Sequence, residues 1–291
     1  MTAFFNPMGS PRRLENYLAF RRELQVPLVT VELAYGPTFE LAPDDADVML
    51  RMRGHAVLWQ KERLLNVALS ALPTDCDTVA WLDADVIFDR PDWPELAIAA
   101  LADANLVQPF RDVRDEGVAT EPPHQSLAYR VATGELSPAG IATGRLVNDW
   151  RCAAGLAWVA PRAVLERHGL YDAGIVGGGD RAIACAAYGA WQGLELTHRM
   201  NDAQQAHYLR WARPFFASVG GRVGYAEGAV STLAHGSFAQ RVYGGRHAGL
   251  QAVGFDPESD IAVDEQGCWR WNSDRPELHE YVRAYFAHRA D

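Results

Sequence analysis

Two aspartates, Asp83 and Asp85, stand one residue apart at the end of an apolar run, in the stretch VAWLDADVIFDR. Burying an unpaired carboxylate is costly, so a strand that ends on two of them needs a compensating partner. A divalent cation is one such partner, because Mg²⁺ and Mn²⁺ prefer oxygen ligands and commonly bridge a carboxylate to substrate phosphates. The other interpretation is an ordinary polar loop after the strand. Taken alone, the pair leaves both interpretations open.

A third carboxylate, Asp180, follows three consecutive glycines and precedes the helical stretch RAIACAAYGAW. An aspartate at this place can cap the helix, and the helix dipole there favours its ionised form. A carboxylate on an open glycine turn can also take the proton of an incoming hydroxyl, because the glycines let a substrate approach the backbone closely. The two roles are compatible, and we predict that Asp180 is a general base.

The elements that must position these carboxylates alternate between strand and helix. Predicted strands are TAFFN, VPLVTVEL and TVAWLDADVIF, and between them lie the helical stretches SPRRLENYLAFRREL and VLWQKERLLNVALSAL. Ser10 is the predicted N-cap of the first helix, with Pro11 at its first position. Such alternation predicts the α/β class, with a mixed, mostly parallel sheet whose ligands bind at the carboxyl ends of the strands. Asp83 and Asp85 lie at such an end.

The second half of the chain is less regular. Residues 111–149 are polar and contain glycine and proline, so we predict a long loop there that acts as a mobile lid over the acceptor. A strand, a helix, the glycine turn and another helix follow. The closing stretch SDRPELHEYVRAYFAHRA is a predicted helix whose apolar stripe packs in the core.

Composition narrows the class of protein. The chain has 291 residues, 48% hydrophobic and 22% charged, which is typical of a globular protein and enough for one large domain. No apolar run approaches the roughly 18–20 residues that cross a bilayer, and the start lacks the features of a signal peptide, so we predict a cytoplasmic protein without a membrane span. The four cysteines form no CxxC pair, which disfavours a disulfide framework or a zinc site.

Four segments resemble inverting glycosyltransferases of the GT-A fold, and most closely the β-1,4-galactosyltransferase group. The stretch WQKERLLNVAL is similar to the family's helix before the metal strand, and WLDADVIF to that strand with its DxD motif. GLAWVAPRAVLERHGLYDAGIVGGGD resembles the family's acceptor-side strand, helix and glycine turn, and TLAHGS its segment with a metal-binding histidine. The order and relative placement of the four segments agree with the family across most of the chain.

The resemblance implies a Rossmann-like GT-A fold and transfer of a sugar from a nucleotide-sugar donor, a UDP-sugar, to an acceptor hydroxyl with inversion. It implies Mn²⁺ or Mg²⁺ as cofactor, held by Asp83, Asp85 and His235, with Asp180 as the catalytic base. Trp59 takes the place where the family puts an aromatic side chain against the nucleotide base. The implied nucleotide-sugar site comprises Asn6, Pro7, Arg12, Glu32, Trp59, Lys61, Asp83 and Ala84, and the implied sugar sites comprise Gly155, Gly178 and Gly179.

The chain departs from the family pattern at three positions. Gly179 stands where the family has an acid before the catalytic aspartate, and Arg181 stands where it has another acid after it. Thr232 occupies the place of a methionine that ligates the metal in the family. These differences bear on the acceptor and on the metal ligands.

The resemblance divides a single GT-A catalytic domain, residues 1–291, into three parts. Residues 1–110 would bind the nucleotide sugar, residues 111–149 would form the long loop, and residues 150–291 would hold the acceptor side and the C-terminal helix.

Two other functions were weighed. A sugar nucleotidyltransferase also pairs aspartates with Mg²⁺, but it has a glycine-rich phosphate loop after its first strand, which FFNPMGSPRR lacks. A non-catalytic nucleotide-sugar-binding relative is the other alternative, if Gly179 and Arg181 mark a site that no longer turns over.

Several acceptors fit the sequence: a glycan, a lipid-linked saccharide, or a hydroxymethylated pyrimidine in DNA. The DNA base is favoured by the arginine- and aromatic-rich stretch HYLRWARPFFASVGGRVGY, which could follow phosphates and stack a base. It is disfavoured by the net charge of −10, because nucleic-acid binding normally uses a basic surface.

Overall fold

The computed structural model describes residues 1–115, 124–145, 151–234 and 245–289. Its strands are β1 Thr2–Phe5, β2 Val29–Ala34, β3 Val48–Arg53, β4 Thr78–Leu82, β5 Val86–Phe88, β6 Leu106–Gln108, β7 Asp112–Asp115, β8 His124–Ser126, β9 Cys152–Ala153, β10 Ala157–Pro161, β11 Val223–Tyr225, β12 Ala229–Thr232, β13 Ile261–Val263 and β14 Trp269–Trp271. Its helices are α1 Pro11–Glu23, α2 Lys61–Leu69, α3 Trp93–Ala100, α4 Leu127–Ala132, α5 Pro138–Ala142, α6 Arg162–His168, α7 Gly179–Ala187, α8 Trp191–His198, α9 Asp202–Val219, α10 Arg246–Ala252 and α11 Pro276–Arg289.

The main sheet is assembled from two groups of strands. In the first, β1, β2 and β3 run parallel, and in the second the order is β11-β6-β10-β4, with β10 antiparallel to both of its neighbours. The amide of Leu82 donates to the Met1 carbonyl at 3.1 Å, and the Met1 amino group donates to the Ala80 carbonyl at 2.7 Å. These bonds place β1 beside β4. The predicted α/β class, with a mixed sheet flanked by helices, is confirmed.

A second sheet has the order β5-β12-β7-β8-β9, and β13 pairs with β14 in a separate hairpin. Strand β5 begins directly after the two aspartates that follow β4, so the DAD segment is the junction between the two sheets. Strand β12 lies antiparallel to β5, with Thr232 opposite Val86. The chain that leads to His235 therefore passes along the same junction.

Helix α1 begins at Pro11, as its sequence predicts, and buries Tyr17 and Phe20. Helix α2 begins four residues later than predicted. Trp59 donates its amide to the Ile175 carbonyl at 2.9 Å, and the Gln60 side chain exchanges two hydrogen bonds with the main chain of Trp269, at 2.7 and 3.0 Å. These tertiary hydrogen bonds hold residues 57–60 outside the helix, which starts only after them.

The segment 111–149, predicted as a long loop, contains regular structure in its described part: strands β7 and β8 and helices α4 and α5. Ser126 and Ser137 cap the two helices, each accepting a hydrogen bond from a backbone amide. Short strands joined to short capped helices leave little periodic signal in a sequence, which explains the error. Residues 116–123 and 146–149 lie outside the described residues.

The C-terminal helix α11 buries its apolar stripe as predicted, with Leu278, Val282, Tyr285 and Phe286 in the core. Among the described residues, no helix has the length and apolar character needed to cross a membrane.

Candidate active site

One ammonium group joins the carboxylates that the sequence singles out. The Lys61 Nζ atom lies 2.7 Å from Asp83 Oδ1 and 2.8 and 3.0 Å from the two carboxylate oxygens of Asp180. A further carboxylate oxygen, Glu62 Oε1, lies 3.9 Å from the same nitrogen. Asp83 and Asp180, which are far apart in the chain, therefore meet on a single cation.

Each member of this cluster is held at the end of an element. Asp83 follows β4 and donates its amide to the carbonyl of Leu156 at 2.8 Å. Leu156 itself has a φ of 78°, which is rare for a residue with a side chain and is found most often at functional sites. Asp180 is the second residue of α7, after Gly178 at a φ of 99°. A Cβ atom on Gly155 would lie 2.8 Å from Asp180 Oδ2, so the carboxylate packs directly on that backbone.

The charges of the cluster depend on one another. Burial disfavours the charge on Lys61, but Asp180, Asp83 and Glu62 outweigh it and raise the pKa of the lysine well above its ordinary value. Burial raises the pKa of Asp180, and the neighbouring Asp83 adds to this while Lys61 opposes it. A carboxylate with a raised pKa holds a proton more firmly, which makes it a stronger base at neutral pH.

Glu62 is a member of the site that the sequence did not indicate. Its side chain is almost fully buried, and Oε2 accepts a hydrogen bond from the Trp59 indole nitrogen at 2.9 Å. Oε1 accepts no hydrogen bond from the described residues. Burial is the largest cause that raises the pKa of Glu62 to about 7. In the sequence this residue reads as an ordinary acid in the first turn of a helix.

The glycine turn before Asp180 is required by close packing beneath it. A Cβ atom on Gly178 would lie 2.5 Å from His198 Cε1, and Gly177 and Gly178 have φ values of 85° and 99°. The rings of His198 and His247 stack on each other with centroids 3.7 Å apart and planes 10° apart. Burial is the main cause that lowers the pKa of both histidines well below the ordinary value. The turn therefore rests on two neutral imidazoles.

The metal site predicted from the DAD pair is only partly within the described residues. The carbonyl of Asp85 accepts a hydrogen bond from the amide of Leu233 at 2.8 Å, which brings the chain two residues before His235 to the aspartate pair. His235 itself lies outside the described residues. Within the described part, no group of three His, Cys, Asp or Glu side chains forms a complete metal site. Two partly exposed carboxylates at the junction of the sheets are oxygen ligands suited to Mn²⁺ or Mg²⁺, so they fit such an ion.

The candidate nucleotide residues near β1 and β2 are engaged with the protein. The Asn6 side chain pairs with the main chain of Ser10 and donates to Glu40 at 2.9 Å. Glu32 is buried and accepts hydrogen bonds from the amides of Glu40 and Leu41. Burial is the largest cause that raises the pKa of Glu32. Among the described residues, no hydrogen bond joins either side chain to Lys61.

The remaining predicted contacts lie around this region. Arg12 is exposed on α1, and Pro7 and Ala84 are half-buried. Trp59 is half-buried too, with the edge of Phe5 against it at a centroid distance of 5.4 Å and the Arg289 guanidinium 4.5 Å from its ring centre. Protein groups therefore already contact the indole that was predicted to lie against a base.

The stretch 207–225, which the sequence favours as a base-stacking surface, buries two of its aromatic side chains. Tyr208 and Phe215 are fully buried in α9, and the Tyr208 hydroxyl donates to the carbonyl of Ala182 in α7 at 2.8 Å. Trp211 stacks on Phe215 with centroids 4.6 Å apart. Aromatic residues three or four apart share one face of a helix, and here that face packs against the protein.

Comparisons of this chain with known proteins found similarity to solved structures at low sequence identity. No family model matches it, and no curated protein matches it. Among solved structures, glucosyl-3-phosphoglycerate synthase from Mycobacterium tuberculosis, in complex with Mn²⁺, UDP and phosphoglyceric acid, is similar at 14% identity and a TM-score of 0.40, covering 95% of this chain and 88% of that one. The same enzyme with Mg²⁺ and UDP is similar at 12% identity and a TM-score of 0.40, with the same coverage. Function must therefore be argued from the residues of this chain.

Proposed function

We propose that this chain is a metal-dependent, inverting glycosyltransferase of the GT-A fold that moves a sugar from a nucleotide-sugar donor, a UDP-sugar, to an acceptor hydroxyl. The observation that carries the proposal is the meeting of Asp83, at the end of a sheet strand, with Asp180, at the start of a helix, on the ammonium of Lys61. An inverting displacement needs a cationic site for the leaving diphosphate and a base on the opposite side of the reacting carbon. Lys61 and the metal held by Asp83 would supply the cationic site, and Asp180 would supply the base.

The donor side of the site is the junction between the sheets. Asp83 and Asp85, with His235, would hold the divalent cation, which would stabilise the negative charge that develops on the leaving diphosphate. Asn6, Pro7, Arg12, Glu32, Trp59 and Ala84 are the proposed contacts of the nucleotide. The buried Glu32, whose pKa is raised, suits a hydrogen bond with a ribose or base rather than with a phosphate.

The acceptor side is formed by the glycine turn and α7. Asp180 takes the proton from the acceptor hydroxyl as the new bond forms, and the dipole at the start of α7 stabilises its ionised form. Gly155, Gly178 and Gly179 are the proposed contacts of the sugars through their backbone, since the protein itself fills the space that a side chain would take at each of them. The carboxylate cannot accept a proton freely while Lys61 binds both of its oxygens. The diphosphate of the donor is a competing anion that would draw the ammonium away from Asp180.

We further propose that the whole of 1–291 is one catalytic domain, with 1–110 as the donor half and 150–291 as the acceptor half. Membership in the β-1,4-galactosyltransferase group rests on the four sequence segments.

A glycan or a lipid-linked saccharide is the favoured acceptor. A modified DNA base is the less favoured acceptor, because Tyr208 and Phe215 of 207–225 are buried and the net charge is −10.

The second candidate is a nucleotide-sugar-binding protein without turnover, which the glycine at position 179 and the arginine at 181 favour. One experiment separates the two. The protein is incubated with a panel of radiolabelled UDP-sugars and Mn²⁺, with and without saccharide, lipid-linked and hydroxymethylcytosine-DNA acceptors. Transfer, or release of UDP from one donor, supports the enzyme; tight UDP binding without consumption of any donor supports the binding protein.

A further inference from the structure

Glu62 and Gly179 share one volume of the protein. A Cβ atom built on Gly179 would lie 2.2 Å from both the carboxyl carbon and Oε1 of Glu62, closer than any real contact. Gly179 is not in the left-handed region of φ, so its backbone does not demand glycine. The Glu62 carboxylate is what excludes a side chain there. Helix α2 therefore places a carboxylate where α7 would otherwise carry a side chain at its first position.

Packing alone does not explain why residue 62 carries a carboxylate. Leaving a buried acceptor without a hydrogen bond costs about 1–3 kcal/mol, and more for a charged group. Oε1 is such an atom among the described residues, and it lies between the ammonium of Lys61, 3.9 Å away, and the start of α7. A glutamine would fill the same space without burying a charge. A carboxylate at this place is therefore expected to serve the site.

We propose that Glu62 is a positioning residue: it supplies, from α2, the second carboxylate beside Asp180, and it holds the Lys61 ammonium in the site when Asp180 is released to act as a base. The proposal rests on the proposed glycosyltransferase function. Lys61 binds Asp180 at 2.8 Å and has Glu62 Oε1 at 3.9 Å, so its ammonium lies within ion-pair range of both carboxylates. The hydrogen bond from Trp59 keeps the Glu62 carboxylate aimed at this point.

The same arrangement accounts for the departure at position 179 in the sequence. The glycosyltransferases that the chain resembles carry an acid at that position, and this chain carries glycine. The structure offers the missing carboxylate from another helix. An exchange of the two residues should then preserve the site, although each single change should damage it.

The test is a residue exchange with a matched control. Glu62→Gln keeps the volume and an acceptor for Trp59, so we expect kcat to fall about tenfold, the lower end of the cost of losing a group that supports catalytic residues. The donor KM should change little, and the variant should stay folded. Gly179→Glu alone should damage folding by collision. The double variant Glu62→Ala/Gly179→Glu should recover most of kcat, while the control Glu62→Ala/Gly179→Gln, of the same shape without charge, should not.

A second readout does not depend on turnover. Lys61 is the only lysine in the chain, so labelling with ¹⁵N-lysine gives one side-chain ammonium signal. That signal should shift in Glu62→Gln, return towards its wild-type position in the glutamate exchange, and stay shifted in the glutamine control.

The outcomes separate the two claims. If the wild type transfers no sugar while the signal responds as described, the proposed function fails and the coupling of Glu62 to Lys61 stands. If the wild type is active, but kcat and the ammonium signal are both indifferent to the charge at positions 62 and 179 in variants that fold, the inference about Glu62 is wrong and the proposed function is untouched.

Discussion

Lys61 and Asp180 form an ion pair in which both oxygens of the carboxylate accept from one ammonium, at 3.0 and 2.8 Å. The lysine side chain is 12% exposed and the aspartate side chain 26%. The pair is thus neither a surface contact nor a sealed core pair, because solvent reaches part of both side chains. This partly buried position determines the effect of substituting either residue of the pair.

Replacing Lys61 by methionine removes the cation from among three carboxylates. We expect transfer to fall by about 10²-fold, the scale of losing a major electrostatic group, with weaker binding of UDP. Lys61→Arg should recover part of the loss. The matched control is Arg63→Met, because Arg63 is also on α2 and ion-paired, with Asp172 at 3.0 Å, but outside the cluster. Steady-state kinetics measure the loss of transfer, and calorimetry measures the affinity for UDP. Equal effects of Lys61→Met and Arg63→Met on kcat would count against a special role for Lys61.

The metal requirement should reside in the DAD pair. Chelator should abolish transfer, and Mn²⁺ or Mg²⁺ should restore it, because a carboxylate pair at the sheet junction is a site for a hard cation. Asp85→Asn and His235→Ala should each raise the metal concentration needed for half-maximal activity, with little change in melting temperature. Asp92→Asn, which affects an exposed carboxylate paired with Arg90, is the control. Full turnover in the presence of chelator would show that the reaction needs no divalent metal.

Glu62 should make stability depend on pH. Burial raises its pKa from an ordinary value of 4.5 to about 7, so between these values the folded protein keeps a proton that the unfolded chain has lost. The folded state then binds more protons, and the contribution of Glu62 to stability falls as pH rises through this window. Glu62→Gln lacks this loss. Its melting temperature relative to the wild type should therefore increase from pH 5 to pH 8, and a difference that is constant with pH would show that Glu62 does not titrate there.

The glycine turn should be intolerant of a side chain for two separable reasons. Gly178→Ala adds a methyl group 2.5 Å from His198 and forces alanine into a φ of 99°. Gly134→Ala is the control, because Gly134 has a φ of 79° with nothing within 4 Å of the added atom. We expect a loss of about 1–2 kcal/mol for Gly134→Ala, the cost of the left-handed backbone alone. Chemical denaturation should show a larger loss of stability for Gly178→Ala than for Gly134→Ala. Equal losses would mean that the stacked histidines move aside to make room for the added methyl group.

The sequence indicates those residues of the candidate site that their immediate neighbours in the chain already mark. Asp83 and Asp85 were recognised because a buried strand that ends on carboxylates is unusual, and Asp180 because a glycine turn before a helix is easy to read. The meeting of Asp83 and Asp180 on Lys61 follows from the α/β topology, in which strand ends and helix starts share an edge. The interior position of α11 followed from its apolar stripe.

Other features depend on tertiary contacts that leave no local signal. Glu62 looks like a solvent-facing acid until the fold places Gly179 against it. Helix α2 begins late because Gln60 binds the main chain of Trp269, 209 residues away. The aromatic residues of 207–225 suggest a binding surface, but Tyr208 packs against α7 and Phe215 is fully buried. The predicted lid over the acceptor is still a prediction, since part of 111–149 lies outside the described residues.

The most direct test of the central claim is the stereochemistry and rate of sugar transfer by the wild type and by Asp180→Asn. The substitution keeps the shape of the side chain and its place at the start of α7, so folding and UDP binding should survive. NMR of the product from an α-linked UDP-sugar should show a β-glycoside for the wild type. Asp180→Asn should lower kcat by about 10²-fold or more, the size of a general-base contribution. Near-normal turnover in that variant, or a product that keeps the α configuration, would contradict the assignment of Asp180 as the base of an inverting glycosyltransferase.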